Sequence, residues 1–568
     1  MLRFPRALWI AAFLAIVLSL PALFADFYCD DQVMVLRLDG TAPAPVPGPF
    51  YLYTFATGEA GQRHLLVENA GLPWWTFDGL RLSFFRPLSS ALFALDHAIA
   101  GRNPLSYHLH SMAWYVVAVL AAGTLLRRLL PEREAALAAI LFAMAPAHWM
   151  LAAWPSARHV AISGVLAMAA VALHLRGRTL AAIACAALGL AAGETALGAF
   201  AYVAAYEFMG RRVTFGDRMR ALAPWGALLA GYVALYKGLG FGAKGSGAYF
   251  DPAGHPWEYL THLPTRLAVF AEAALVGVPS EISGLAPQAT PVLALLGAVA
   301  AMALALLLRR AVRALEPEVR RTLAWLLTGA VLAVLPGAAG IPGDRILFLP
   351  NLGIVSVLSV VLLRAGAGLP ARAGVAVFGL LHVVLAPVLF AFGAQQLATS
   401  SHAARTAAVG AELPAREGVS VVGIGLADPL VGMYLLPNLV IARPKPLPRT
   451  THLLTMSPRD HRLKRIDART LEISILGGTL LDNALEFVVR PPDHPLLAGD
   501  RLPLGPWAVL ILEDTDGRPT RFSVTFDRPL DDPSLAFIIW HEGALRPLSL
   551  PPVGEEVTLK HEPGPMGI

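Results

Sequence analysis

Apolar runs close to twenty residues long recur along this chain from its start to about residue 394, and a soluble fold has nowhere to hide so many of them. A bilayer's hydrocarbon core is about 30 Å thick and takes roughly 20 residues of apolar helix to cross. After the run from Ala7 to Phe24, further runs lie at about 107–126, 135–152, 160–175, 179–193, 196–209, 221–238, 291–308, 322–340, 346–363 and 373–394, which makes about eleven candidate spans. Several are short, which implies tilt or local thinning of the bilayer. Composition agrees: 56% hydrophobic residues, only 15% charged residues and a mean hydropathy of +0.58 over 568 residues put the chain outside the soluble range. The expected fold class is a polytopic α-helical membrane protein.

Basic residues set the expected orientation, because Lys and Arg near helix ends stay on the cytoplasmic side. Arg3 and Arg6 precede the first run, and Leu23 fills one of the two small positions that a cleavage site before Asp26 would need. That run therefore reads as an uncleaved signal-anchor with its N-terminus inside. Alternate loops then hold Arg127, Arg128 and Arg133; Arg176 and Arg178; Arg211, Arg212, Arg218 and Arg220; Arg309, Arg310, Arg313, Arg320 and Arg321; and Arg364 and Arg372. The remaining loops fall outside: about 26–106 with its amphipathic helices, 153–159, Gly193-Glu194, 239–290 and 343–345. A short Pro-flanked apolar piece at about 267–278 reads as interfacial or re-entrant. The formal charge of +5 comes mostly from these arginines, so it reports orientation and does not argue for nucleic acid. Cys29 and Cys185 form no disulfide framework.

The chain divides into a membrane domain over 1–397, an Ala-rich polar linker over 398–418 and an external β-rich domain over 419–568. In the last part Leu471, Ile473 and Ile475 alternate with Glu472 and Ser474, and Phe522, Val524 and Phe526 alternate with Arg521, Ser523 and Thr525. That is the period of half-buried strands. Asp516-Gly517 between the second strand and "WAVLILED" signals a hairpin. An antiparallel β domain with no catalytic constellation is expected, serving structure or contact with an acceptor or partner protein.

The scattered charged and histidine residues all fall at external ends of the spans. Asp30 and Asp31 follow the first span almost directly, so one can stay ionised at the surface. A neighbouring carboxylate or partial desolvation would raise one of them toward the range of a general base. Adjacent side chains diverge, so only one can face a substrate; a helix cap plus a solvated charge is the other reading. Arg86 before Pro87 opens an amphipathic helix and offers planar donors to a phosphate. Tyr107, His108 and His110 lie where the second span enters the membrane; Tyr107 and His110 read as interfacial anchors and His108 stays open. His148 ends the third span, and Arg158 and His159 open the fourth. Polar groups deep in a bilayer cost roughly 2.5–3.5 kcal/mol and are functional candidates by default, an inference that weakens near the surface. Glu194 is either an exposed turn residue or a site acid. Asp344-Arg345 is either a surface ion pair or a cavity group whose arginine holds an anionic lipid headgroup.

The ordered segments "FYCDDQ", "FRPLSSALFALDHAIAGRNPLSYHLHS", "PAHWMLAAWPSARH", "GETALGAFAYVAAYE" and "GDRILFLPNLG" resemble the GT-C glycosyltransferases. The likeness is strongest to the protein O-mannosyltransferase type with tetratricopeptide repeats, and it covers about 1–395; no such repeat occurs in the tail. The resemblance implies an inverting hexosyltransferase of the cell envelope that uses a polyprenyl-phosphate sugar, with no cofactor. Asp30 aligns with the leading acid of the family's pair and would be the base, supported by Asp31. Arg158 and Arg345 would hold the phosphate, and Glu194 matches the acid of a Lys-Glu step. Arg86, His108, His148, His159 and Asp344 would contact substrate. The sequence departs from the family's pattern at Ala145, Met150, Val160 and Gly193, where a His, a Glu, an Asp and a Lys are usual. A divergent non-catalytic relative, or a lipid-linked saccharide transporter or assembly factor, is the alternative; a transporter would need cations along its path, and the centres of these spans carry almost no Lys or Arg. No His/Asp/Glu cluster has metal-ligand spacing. The Ala/Leu/Arg/Gly bias is that of a GC-rich bacterial source, which would make the membrane the inner one, the external face periplasmic and the carrier undecaprenyl phosphate.

Overall fold

The computed structural model describes residues 4–250, 252, 254–366, 368–413, 418–442 and 447–567. Arg3 of the expected anchor and residues 414–417 of the expected linker lie outside them. The chain opens with α1 (Phe4–Ser19), and the long loop after it holds α2 (Asp30–Leu38), β1 (Thr54–Thr57), α3 (Ala60–Glu68), β2 (Arg81–Ser83) and α4 (Pro87–Ala100). The bundle continues through α5 (Pro104–Leu129), α6 (Glu132–Met144), α7 (Trp149–Ala153), α8 (His159–His174), α9 (Thr179–Ala192), α10 (Leu197–Ala205) and α11 (Phe215–Gly238). After β3 (Gly242–Lys244) come α12 (Pro256–Leu275), α13 (Ile282–Leu285), α14 (Thr290–Ala311), α15 (Pro317–Val334), α16 (Asn351–Arg364), α17 (Leu369–Gly379) and α18 (Ala386–Gly410).

All eleven apolar runs fall on helix. Among the described residues, 6 helices are long and apolar enough to cross a membrane, or up to 7 if α6 and the segment after it, bent by 54° at Pro146, count as one span. The other runs lack length or apolarity: α9 and α16 have 14 residues each, α10 has 9, and α11 carries Asp217, Arg218, Arg220 and Lys237. The molecule is a polytopic helical membrane protein.

Small residues bring the helices together, as lipid offers no hydrophobic drive between them. Ala7, Ala11 and Ala15 form one fully buried stripe of α1, which packs against α5 and α6, and Gly123 of α5 lets Leu8 approach. Segment ends that the basic-loop count puts on one side meet in space. Arg364 pairs with Glu134, and Glu207 holds both His174 and Arg211. At the other end Arg86 meets Glu194, Ser156 meets Asp31, and Ser280 meets Asp344.

α18 runs on to Gly410, through most of the stretch expected as linker. Alanine favours helix there, and Arg405 and His402 pair with Asp26 while Ser401 accepts from the Asp26 N–H. Beyond it lie β4 (Ser420–Gly423), α19 (Leu435–Ala442), β5 (Thr450–Leu453), β6 (His461–Arg465), β7 (Thr470–Ile475), β8 (Arg501–Pro503), β9 (Trp507–Thr515), β10 (Arg518–Phe526), β11 (Leu535–His541), β12 (Ala544–Pro547) and β13 (Glu556–Leu559). A six-stranded sheet, β13-β6-β7-β10-β9-β8, is antiparallel throughout. The alternating residues of β7 and β10 face its core, and Asp516 (φ 53°) and Gly517 (φ 75°) make the β9–β10 turn. A second sheet, β12-β11-β4-β5, is mixed, because β4 lies parallel to both β11 and β5. The β4–β5 connection contains α19, the kind of crossover that parallel neighbours require.

The β domain sits on the long first loop, where the Trp74 indole donates to the Leu454 carbonyl (3.0 Å) and Arg490 to the Trp75 carbonyl (2.5 Å). Within the bundle the tightest backbone approach is at Gly297 of α14, where an added Cβ would run into the Ala268 carbonyl oxygen of α12. Gly297→Ala should therefore lower stability by about 1–3 kcal/mol, read as a drop in the unfolding temperature in detergent. Gly226→Ala, with nothing within 4 Å of the new carbon, should not.

Candidate functional site

The two adjacent acids have separate surroundings. Asp31 is fully buried, and its carboxylate accepts from the Ser156 N–H (2.7 Å) and the Tyr28 N–H (3.1 Å). Burial pushes it up to about 7, against the pull of those two backbone donors. It therefore ties the start of α2 to the turn between α7 and α8. Asp30, one residue earlier in the helical turn, is half-buried and accepts from the Tyr434 hydroxyl at 2.7 Å. Desolvation raises it, while Tyr434, Arg345, Arg86 and Arg37 pull it back.

Beside Asp30 opens a cavity of about 1360 Å³, larger than the roughly 300–1,000 Å³ of ordinary small-molecule pockets. Its wall combines Arg86, His159, Glu194 and Arg345 with an aromatic lining that includes Phe84, Tyr236 and Tyr249. Asp30 is not among the lining residues, but it lies within electrostatic range of two that are, Arg345 and Arg86.

Arg86 precedes Pro87, whose fixed φ starts α4. Its Nε donates to Glu194 Oε2 at 2.8 Å, and its guanidinium lies over Tyr53 (4.8 Å) and Phe84 (4.7 Å). Glu194 also accepts from the Tyr236 hydroxyl, at 3.5 Å. Where the family pattern has Lys next to this Glu, the chain has Gly193, and the acid's cation is Arg86 from a different segment. A Cβ at Gly193 would come 2.9 Å from His159 Nδ1, so the imidazole occupies the space a side chain would need. His159 meets the Tyr53 ring edge-on at 5.4 Å.

Arg345 is half-buried on the cavity wall, and its guanidinium makes no hydrogen bond or ion pair with any described residue. Its backbone is fixed instead. Asp344 Oδ1 accepts from the Ser280 N–H (2.8 Å) and hydroxyl (2.7 Å), and the Asp344 N–H donates to Glu281 Oε1 at 2.9 Å. Asp344 thus serves the loop and does not reach the cavity.

Three more of the expected substrate contacts lie elsewhere. Arg158 has only 2% of its side chain exposed and is committed to Asp96 at 2.5 Å, which also takes His110; it is not free for phosphate. His148 is enclosed by Asn351 (2.9 Å) and the Phe142 carbonyl (3.0 Å), and His108 is buried in α5. Once the spans close around them, residues near helix ends become bundle interior, and position along the sequence does not separate the two fates. Tyr434, Tyr53, Tyr249 and Glu281 were not singled out by sequence. Their partners lie hundreds of residues away or in an unremarked loop, and nothing local marks them.

No protein-family model matches the chain, and no curated protein sequence matches it. Among solved structures it is similar to ArnT from Cupriavidus metallidurans bound to undecaprenyl phosphate, at 14% identity over 76% of this chain and 84% of that one, with a TM-score of 0.39. It is also similar to the Archaeoglobus fulgidus oligosaccharyltransferase tethered with an acceptor peptide, at 13% identity over 78% of this chain and 64% of that one (TM-score 0.37). A third is the arabinofuranosyltransferase AftD from Mycobacteria, at 14% identity over 74% of this chain and 31% of that one (TM-score 0.36). These are likenesses of overall arrangement, and no activity or residue role passes to this chain through them.

The Glu281–Asp344 pair generates a pH prediction. Burial and the neighbouring carboxylate raise Glu281 from 4.5 to about 8, so the folded state favours its protonated form. Stability from this group is complete below about pH 4.5 and is lost as pH rises through about 8. Asp31 acts in the same sense up to about 7. The unfolding temperature should fall between pH 5 and pH 8.5, and Glu281→Gln, which keeps the protonated shape, should flatten that fall.

Proposed function

We propose that this chain is a membrane glycosyltransferase that moves a sugar from a polyprenyl-phosphate carrier to an acceptor hydroxyl on the external face of a bacterial inner membrane. The observation that carries the reading is the convergence of Arg86, Glu194, His159 and Arg345, from distant segments, on one large cavity, with Asp30 within electrostatic range of its two arginines. The ordered motifs that resemble the GT-C glycosyltransferases are the segments that supply them.

A donor of this kind carries its phosphate at headgroup depth and its tail in lipid. Val233 of α11 lines the cavity while 48% exposed, and Trp257 and Leu260 at the start of α12 are exposed as well, which suits lateral entry of an isoprenoid chain. Arg345, with no partner among the described residues, is the group to take the phosphate. Arg86 is held by Glu194 and stacked on two rings, which fixes a second positive centre. In the inverting scheme Asp30 accepts the proton of the acceptor hydroxyl as its oxygen bonds to the anomeric carbon. The carbon–oxygen bond to phosphate breaks on the opposite face, and its electron pair leaves on the carrier phosphate, opposite Arg345.

In this scheme Arg158 has a structural duty only, and Glu194 orients Arg86 without handling a proton. A hexose and undecaprenyl phosphate are the sugar and carrier that the resemblance and the composition favour. The acceptor needs only a hydroxyl, and the cavity's breadth admits one borne by protein, lipid or glycan.

Purified protein in nanodiscs, given radiolabelled undecaprenyl-phosphate hexoses and membrane acceptors, should transfer label. Asp30→Asn should lower kcat by about 10²–10⁴-fold. Arg345→Ala should raise KM for the donor well above the effect of Arg158→Lys on the same constant. Full transfer by the Asp30→Asn variant would remove the proposed base and favour a non-catalytic role.

A further inference from the structure

The β domain lines the cavity with Pro491, Pro492, Asp493 and His494, and it reaches Asp30 through one hydroxyl. Tyr434 stands immediately before α19, and its O–H donates to Asp30 Oδ1 at 2.7 Å. This is the one hydrogen bond the Asp30 carboxylate makes among the described residues, which leaves Oδ2 free. A carboxylate fixed through one oxygen with the other open is arranged to receive a proton in a defined direction.

The turn that carries Tyr434 is itself held firmly. Asp428 Oδ1 accepts from the Leu430 and Val431 N–H groups (2.8 and 3.3 Å), and its Oδ2 accepts from the Met566 N–H (2.7 Å) near the chain's end. Asn438, one turn along α19, donates to the Leu430 carbonyl (2.8 Å) and accepts from Gln32 Nε2 (2.6 Å), which belongs to the same helix as Asp30. Tyr28, Cys29, Leu430, Tyr434 and Met566 pack in one apolar cluster around these contacts. Two independent side-chain bonds thus cross from the β domain to α2, and one of them ends on the acid.

Resting on the glycosyltransferase reading, we propose that Tyr434 is a positioning residue for Asp30, so that the β domain completes the active site and is no mere appendage. A hydrogen bond donated to a carboxylate favours its charged form. The other groups that face Asp30 are the cations Arg345, Arg86 and Arg37 and the acids Asp31, Cys29, Tyr28, Tyr53 and Tyr249. None of them moves when the Tyr434 hydroxyl is removed, because Tyr434→Phe keeps the ring and its packing.

The test reads Asp30 directly in the full chain. Dicyclohexylcarbodiimide labels protonated carboxyls, and the pH dependence of Asp30 labelling, followed by peptide mass spectrometry, gives its titration midpoint. Tyr434→Phe should raise the protonated fraction at a given pH on the ionised side of the midpoint about tenfold, an upward shift of about one pH unit. Replacing Tyr434 with 3-fluorotyrosine, a stronger donor with the same packing, should move the midpoint down. With labelled undecaprenyl-phosphate sugar, Tyr434→Phe should reduce kcat at unchanged donor KM and move the acid limb of the rate profile upward. A midpoint unmoved by both replacements overturns the proposal. A midpoint that moves in both directions in a protein that transfers no sugar supports the Tyr434–Asp30 coupling and overturns the glycosyltransferase reading instead.

Discussion

The buried carboxylate of Asp31 is the contact on which the external architecture depends. A charged group with no exposure is costly unless it is bonded, and here two backbone N–H groups from different segments meet it. Its place at the first turn of α2 adds the favourable end of the helix dipole. The bond to Ser156 fastens a helix that follows the first span to the turn between α7 and α8, far along the chain. Tyr53 reinforces the same turn by donating to the Ser156 carbonyl at 2.7 Å. With that turn fixed, His159 and Tyr53 meet, and Arg86 finds both the Tyr53 ring and Glu194.

From this anchor the division of labour between adjacent acids follows. Asp31 has both oxygens taken by backbone N–H groups, whereas Asp30 accepts one hydroxyl and feels the charge of Arg345 and Arg86. The cations beside the cavity differ by the same logic. Arg158 is matched by Asp96 deep in the bundle, Arg86 is matched by Glu194 at the wall, and Arg345 is left without a match among the described residues where an anion could sit.

The helices were legible because each apolar run is a local property. The β9–β10 hairpin was equally plain: Asp516 and Gly517 both take the positive φ that such a turn demands. The mixed sheet was not, since its parallel pairing depends on where a crossover helix lays two short strands. At the site, Asp30, Arg86, Glu194, His159 and Arg345 could be picked out by their position at helix ends. The same rule also picked Arg158, His148 and His108, which the bundle encloses. Burial is decided by how distant spans pack, and no local pattern carries that information. Tyr434 escaped for a related reason, as it is an ordinary tyrosine until a second domain folds onto the first loop.

The departures from the family pattern can be judged on space and charge. Val160 lines the cavity, and the imidazole of His159 fills the volume above Gly193. A lysine there would have to expel the histidine, so the two arrangements are alternatives: a Lys beside the Glu, or a Gly beside the Glu with His159 behind it and Arg86 as the acid's cation. The second keeps one positive and one negative group at the same depth while supplying the positive charge from the start of α4 and not from the Gly193-Glu194 turn. A site altered in this way has rearranged its ion pair without emptying it.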